Sequence, residues 1–208
     1  MTPFPAVILA GGASRRMGTD KAILTLEGEP LLARAQRRIK TQAHPVLISR
    51  HGDELAGLPD ATVIRDAGTG HEGPLAGILA GLGHLAAQGS KATHMVSLAV
   101  DTPFFPADLV ERLSGARPAP NVIVLAHSQG RAHPVFALWP LALREALSNW
   151  LASGSNRRLM DFVAGHPCLG VDFPLISTKE GAVDPFFNIN TPDDLDAARR
   201  VAKRITDG

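Results

Sequence analysis

Met95-Val96-Ser97-Leu98-Ala99-Val100 is a near-continuous apolar run that ends on Asp101. A strand that is apolar on both sides of its pleat needs cover on both faces, as the strands of a parallel sheet do. Ala6-Val7-Ile8-Leu9, Val46-Leu47-Ile48 and Val122-Ile123-Val124-Leu125 read the same way, and Thr62-Val63-Ile64 joins them. Helical patterns lie between these runs. Pro30 reads as a first helical position, with Leu31, Leu32, Ala35 and Ile39 on one apolar face. Gly73-Pro74 opens a second helix, running to Gln88, and Pro106 a third, running to Leu113. The alternation predicts an α/β fold: a doubly wound, mostly parallel sheet with helices on both faces.

The last third is less regular and reads as a short C-terminal elaboration. His133-Pro134-Val135-Phe136-Ala137-Leu138 resembles a strand with its proline at the start or the edge. Helices are expected over 141–151 and 157–163. Phe186-Phe187-Asn188-Ile189-Asn190 reads as extended chain, with Asn188 and Asn190 on one face. Thr191-Pro192-Asp193-Asp194 then combines an N-cap, a proline at the first helical position and acids in the first turn. No linker is evident, so residues 1–208 are expected to form a single domain.

The chain has 208 residues, 45% of them hydrophobic, enough for a core of its own. A net charge of +1 gives no general reason to expect nucleic acid or an anionic membrane as partner. Cys168 is the sole cysteine, which excludes an intrachain disulfide and a cysteine metal cluster and suits the cytoplasm. No apolar run approaches the roughly 20 residues of a membrane span. The N-terminus lacks the basic segment of a secretory signal.

Positive charge is concentrated instead in Leu9-Ala10-Gly11-Gly12-Ala13-Ser14-Arg15-Arg16-Met17-Gly18-Thr19-Asp20-Lys21, where the first strand empties into a glycine-rich loop. Glycines let backbone approach a bulky ligand and turn N–H groups toward an anion. Three cations in such a loop point to a polyphosphate. The loop lacks the closing Gly-Lys-Ser/Thr of a Walker A motif and the spacing of the dinucleotide fingerprint. Asp101 belongs to the same sheet edge, because ligands of open α/β sheets bind outside the carboxyl ends of the strands. Two readings fit it. One is a turn or cap ahead of Pro103. The other is a ligand of Mg²⁺, which takes one or two carboxylates plus substrate phosphates.

In order along nearly the whole chain, five segments resemble the molybdenum cofactor guanylyltransferases, within the Rossmann-like nucleotidyltransferases. They are 9–21, Gly73-Pro74-Leu75-Ala76-Gly77, Asp101-Thr102-Pro103-Phe104-Phe105-Pro106, His133-Pro134 and Phe187-Asn188-Ile189-Asn190-Thr191-Pro192. A CTP-using sister group tends to show Ala-Ala-Gly where this chain has Ala10-Gly11-Gly12, and Gly-Asp-x-Pro where it has Val100-Asp101-Thr102-Pro103. The residues therefore side with the guanine users. Family members often carry an acid or a cysteine just before the metal aspartate. Ala99-Val100 offers neither.

The resemblance implies transfer of GMP from GTP to molybdopterin with release of pyrophosphate. The N-terminal part would bind the nucleotide and the C-terminal part the pterin. Apo-molybdoenzymes and other cofactor-biosynthesis proteins would be partners, and nucleic acid and membrane would not. A phosphate nucleophile with a second pKa of about 6 is mostly ionised at neutral pH and needs no general base.

By the same resemblance, Leu9, Ala10 and Gly11 meet the guanine, and Gly12 to Gly18 wrap the triphosphate. Arg16 and Lys21 neutralise the departing pyrophosphate, and Asp101 holds Mg²⁺. The helix start at Gly73 offers N–H groups to an anion. Asp66 and Ser49 match nucleotide-contact positions, the latter often Asn in the family. Asp66 also reads as a turn residue and Ser49 as a strand end. Arg157, Arg158, Asn188 and Asn190 match positions near the pterin. The arginines also read as a solvated helix start, and the asparagines as turn formers. His133 carries no derived role. A CTP-dependent or other nucleotidyltransferase, and a non-catalytic cofactor carrier, are the competing readings.

Overall fold

The structure is a computed structural model that describes residues 4–11, 20–50, 62–65, 73–116, 119–154, 157–178 and 181–206. The elements follow in chain order: β1 (Ala6–Leu9), a 3-10 turn (Lys21–Ile23), β2 (Thr25–Leu26), β3 (Glu29–Pro30), α1 (Leu31–Lys40), β4 (Val46–Arg50), β5 (Thr62–Arg65), α2 (Pro74–Ala87) and β6 (His94–Ala99). Then come α3 (Leu109–Gly115), β7 (Ile123–Ser128), β8 (Arg131–Pro140), a second 3-10 turn (Leu141–Leu143), α4 (Arg144–Ala152), α5 (Leu159–Ala164), β9 (Cys168–Asp172), β10 (Ile176–Thr178), β11 (Gly181–Val183) and α6 (Pro192–Thr206).

Seven strands form one sheet in the order β5-β4-β1-β6-β8-β7-β9. The pairings β1–β4, β1–β6, β4–β5 and β7–β9 are parallel; only β8 runs against its neighbours β6 and β7. The sheet is mostly parallel, as the apolar runs predict. Alternation along each strand feeds two cores. Ala6, Ile8, Val46, Ile48, Val96, Leu98, Val124 and Leu138 face one side, with α1, α3 and α6. Val7, Leu9, Leu47, Met95, Leu125 and Trp139 face the other, with α2, α4 and α5. Trp139 is fully buried and donates its indole N–H to Ser97 Oγ at 2.8 Å, so the polar residue within the β6 run has a partner. Among the described residues no helix is long and apolar enough to cross a membrane.

The chain leaves β1 toward β4 and β5, then returns through α2 to β6 on the opposite side of β1. The strand order therefore switches direction between β1 and β6, which is where an open α/β sheet binds ligands. α2 lies tight on this part of the sheet. A Cβ on Gly77 would come within 2.6 Å of Leu9 Cδ2 and 2.8 Å of Ser49 Oγ. Replacing Gly77 by valine forces these apart and is expected to cost about 1–3 kcal/mol in urea unfolding. An unchanged midpoint would show that α2 shifts freely.

Several details depart from the sequence reading. Pro30 pairs in β3 and caps α1 from outside rather than opening it. β8 is an interior strand, and Pro134 lies where the β7–β8 register shifts, between the His133 and Ala137 pairings. A residue without an N–H is accommodated there because the ladder is already interrupted. The stretch after Phe186 belongs to no strand. Sequence reading missed β9, whose residues are mostly exposed.

Candidate functional site

A cleft of about 350 Å³ opens at the carboxyl ends of β1 and β6. Leu9, Ala10 and Gly11 form one wall, Ala99, Val100 and Asp101 another, and Gly73 and Pro74 a third; Asp20, Lys21, Val135 and Asn188 complete it. The two central strands are in register at this edge, with Leu9 opposite Ala99 and Val100 N–H donating to Leu9 O at 3.2 Å. Ala10 N–H is fixed on Ser49 O at 2.8 Å. Gly73 has φ +69° and ψ −165°, a backbone region that essentially only glycine enters. This turn aims the start of the 14-residue helix α2 at the cleft. The exposed N–H groups of a helix start, together with its dipole, favour an anion.

Charge gathers around Asp101. Lys21 Nζ lies 2.7 Å from Asp101 Oδ2 and 2.7 Å from Asn190 Oδ1. The ion pair is largely sheltered, with side-chain exposures of 18% and 17%, so solvent screens it less than a surface pair. Thr102, fully buried, donates its hydroxyl to Asn188 Oδ1 at 2.6 Å. Ile189 N–H donates to Asp101 O at 2.9 Å, which ties the asparagine segment to the end of β6. The segment then enters α6 through a capping box. Asp194 Oδ2 accepts from Asn190 N and Thr191 N, and Asp194 N–H donates to Thr191 Oγ1. The Asn190 N–H, above all, holds the Asp194 carboxyl below the usual carboxylate range.

Lys21 is positioned from behind. Asp20 Oδ1 accepts from Ala22 N at 2.9 Å and caps the turn that carries Lys21. Asp20 Oδ2 meets Arg50 Nη2, at the end of β4, at 3.1 Å. Both oxygens of Asp20 are thereby engaged, and Asp101 is the carboxylate whose partner is a side chain reaching in from the loop. Among the described residues no three His, Cys, Asp or Glu side chains converge. Among the described residues no second unengaged carboxylate adjoins Asp101, so a cation held there would draw further ligands from substrate phosphates and water. That donor set fits Mg²⁺, which dehydrates reluctantly and is held by one or two carboxylates.

The structure thus brings together seven of the residues singled out by sequence: Leu9, Ala10, Gly11, Lys21, Gly73, Asp101 and Asn188 line the cleft, and Asn190 adjoins it through Lys21. Ser49 does not line it. Its side chain is 1% exposed and lies beneath α2 at Gly77, while its carbonyl fixes Ala10. Arg157 and Arg158 are exposed just before α5 and are not among the cleft's lining residues. Gly12, Arg16 and Asp66 lie outside the described residues. Sequence reasoning gave no role to Asp20, Thr102 or Val135. Asp20 and Thr102 adjoin assigned residues, whereas nothing local distinguishes Val135.

Residues 6–168 match the family model of the MobA-like NTP transferase domain. The chain is 47% identical to a molybdenum cofactor guanylyltransferase of Rhizobium johnstonii, over 93% of this chain and 90% of that protein. It is 40% identical to the same enzyme of Sinorhizobium fredii, over 98% and 94%. The crystal structure of molybdopterin-guanine dinucleotide biosynthesis protein A from Archaeoglobus fulgidus superposes with a TM-score of 0.75 at 22% identity, covering 96% of this chain and 99% of that one. At that identity the likeness concerns the fold. With a nucleotidyltransferase family model over most of its length and two close relatives over nearly all of it, the chain belongs to the molybdenum cofactor guanylyltransferases, a family of nucleotidyltransferases.

Proposed function

We propose that the cleft between β1 and β6 binds GTP and that the protein joins its GMP to the terminal phosphate of molybdopterin, releasing pyrophosphate. The observation that carries the assignment of roles is the pairing of Lys21 with Asp101 at the switch point of the sheet, beside the start of α2. A lysine, a carboxylate and a helix start around one cleft suit a substrate that is a polyphosphate with a divalent cation. Reactions of this kind ask for positioning and charge neutralisation more than for covalent participation by the protein.

Leu9, Ala10 and Gly11 offer backbone to the guanine. Lys21 faces the β- and γ-phosphates and neutralises the charge that grows on pyrophosphate as it leaves. Gly12 and Arg16 serve the same phosphates from the loop. Asp101 would hold Mg²⁺, which when bound would supply Lewis-acid charge neutralisation to the reacting phosphates. The N–H groups at the glycine-led start of α2 take a further phosphate oxygen. Asn188 and Asn190, with Arg157 and Arg158, serve the pterin acceptor. Asp66 selects guanine, since a carboxylate accepts from N1–H and N2–H₂ together and cytosine lacks that donor pair. The acceptor phosphate is already ionised, so no side chain is required as a base. The reading places the protein in the cytoplasm as a single domain.

Competition for binding in the presence of Mg²⁺ tests the base choice. GTP is expected to displace a fluorescent guanine nucleotide at a concentration at least about tenfold below CTP, as the loss of one charge-assisted hydrogen-bond pair implies. Equal displacement by CTP would contradict selection for guanine.

A further inference from the structure

His133, in the motif without a derived role, belongs to a polar network behind the asparagine segment. Ser128 closes β7, and its side chain is 1% exposed. Its Oγ lies 2.7 Å from His133 Nε2 and 2.9 Å from Asp184 Oδ1. A hydroxyl has one proton to give. The carboxylate can only accept, so Ser128 donates to Asp184 and accepts from His133 Nε2–H. Burial, opposed by the nearby Asp184, pushes the His133 pKa down and favours the neutral ring. Serine stands between histidine and carboxylate here, and it is buried. The histidine therefore does not relay a proton from the serine to the acid, and the cluster is not a nucleophile.

The cluster instead holds a turn. Asp184 Oδ1 also accepts from Phe186 N at 2.9 Å, which bends the chain as it leaves β11. The Phe186 ring stacks on His133 with centroids 4.5 Å apart and packs against Phe136 and Phe173. The Phe186 side and the Asp194 capping box thus pin both ends of the stretch that carries Asn188 and Asn190. Its middle is held by Ile189 N–H donating to Asp101 O, and its two asparagine side chains accept from Thr102 Oγ1 and Lys21 Nζ.

We propose that Ser128, His133 and Asp184 form a latch that sets where Asn188 and Asn190 stand beside Asp101 and Lys21, and that all three are positioning residues for the acceptor step. The latch itself follows from the contacts above; the substrate it affects rests on the guanylyl-transfer reading. Loss of the latch frees one end of the segment while Leu9 to Gly11 and the start of α2 keep their places. The effect therefore falls on the acceptor more than on the nucleotide.

The test uses the full chain with Asp184→Ala, Ser128→Ala and Asp184→Asn, read by amide hydrogen exchange over 186–190 and by steady-state kinetics with both substrates. Both alanine variants are expected to exchange faster over 186–190. They should raise the KM for molybdopterin by about tenfold, with the KM for GTP within about twofold, as the loss of one or two sheltered hydrogen bonds implies. Asp184→Asn should restore both readouts, because its amide oxygen accepts the same two bonds. If Asp184→Ala does not fold, Ser128→Ala supplies both readouts, since it leaves the Asp184–Phe186 turn intact. Unchanged exchange and unchanged acceptor KM in the alanine variants would overturn the latch. Parallel losses for both substrates with a lowered melting temperature would overturn it too, by showing a general structural role. A wild-type protein without molybdopterin-dependent turnover would sink the guanylyl-transfer reading instead, and hydrogen exchange alone would then decide the latch.

Discussion

Replacing Asp101 by alanine is expected to lower turnover on the order of a thousandfold, the scale on which preorganised charge stabilisation and metal assistance operate. GTP binding should weaken far less. The proposed nucleotide contacts of the Leu9–Gly11 wall and the glycine-led start of α2 use backbone groups, which do not depend on the Asp101 carboxylate. The fold should survive, because Asp101 is tied to the asparagine segment by its carbonyl oxygen, which accepts from Ile189 N–H and is present in any residue. Steady-state pyrophosphate release and nucleotide titration on the same preparation separate the two effects. Turnover within a few-fold of wild type would remove Asp101 from the metal role. A cofactor carrier would keep its activity in this variant.

Lys21→Ala carries the second large effect. Turnover is expected to fall on the order of a hundredfold, comparable to removing one preorganised donor from a developing anion. The same variant should behave unusually toward divalent cations. Lys21 Nζ sits 2.7 Å from Asp101 Oδ2, so the ammonium occupies an oxygen that a cation would use. Removing it leaves a sheltered carboxylate without its positive partner and raises its appeal to a divalent ion. Manganese binding to the nucleotide-free protein, followed by electron paramagnetic resonance, should be tighter in Lys21→Ala than in wild type. Weaker binding in the variant would show that Lys21 does not compete with a cation there. The two readouts move in opposite directions, so a variant that is merely unstable cannot imitate the pattern.

Why some of this was legible in sequence and some was not follows from the physics of each element. Strands buried on both faces announce themselves, because residues on both sides of the pleat in β1, β4 and β6 must suit a core. The edge strand β9 has exposed Cys168, Leu169 and Gly170 and no such constraint, so nothing marks it. Asp101 is legible because an acid directly after the most apolar strand falls at the ligand edge of a parallel sheet. The alternation of Asn188, Ile189 and Asn190 is real, with Ile189 buried between two exposed asparagines. Its cause is not sheet pairing but the anchor of Ile189 on Asp101 and the cap of Asp194.

Contacts between distant parts of the chain leave little local trace. Ser128 and Asp184 are 56 residues apart, and Asp20 and Arg50 are 30 apart. No periodicity links them, so the latch and the support of Lys21 leave no pattern along the chain. Ser49 illustrates the converse. Its position at the end of β4 is what a nucleotide contact would need, but close packing of Gly77 places its side chain under α2.

The most direct test is pyrophosphate release from GTP with Mg²⁺, with and without molybdopterin, and with CTP in parallel. Release that requires both GTP and molybdopterin, and is absent with CTP, is the predicted result. Release from CTP at an equal rate, or none from GTP under conditions where GTP is bound, would contradict it.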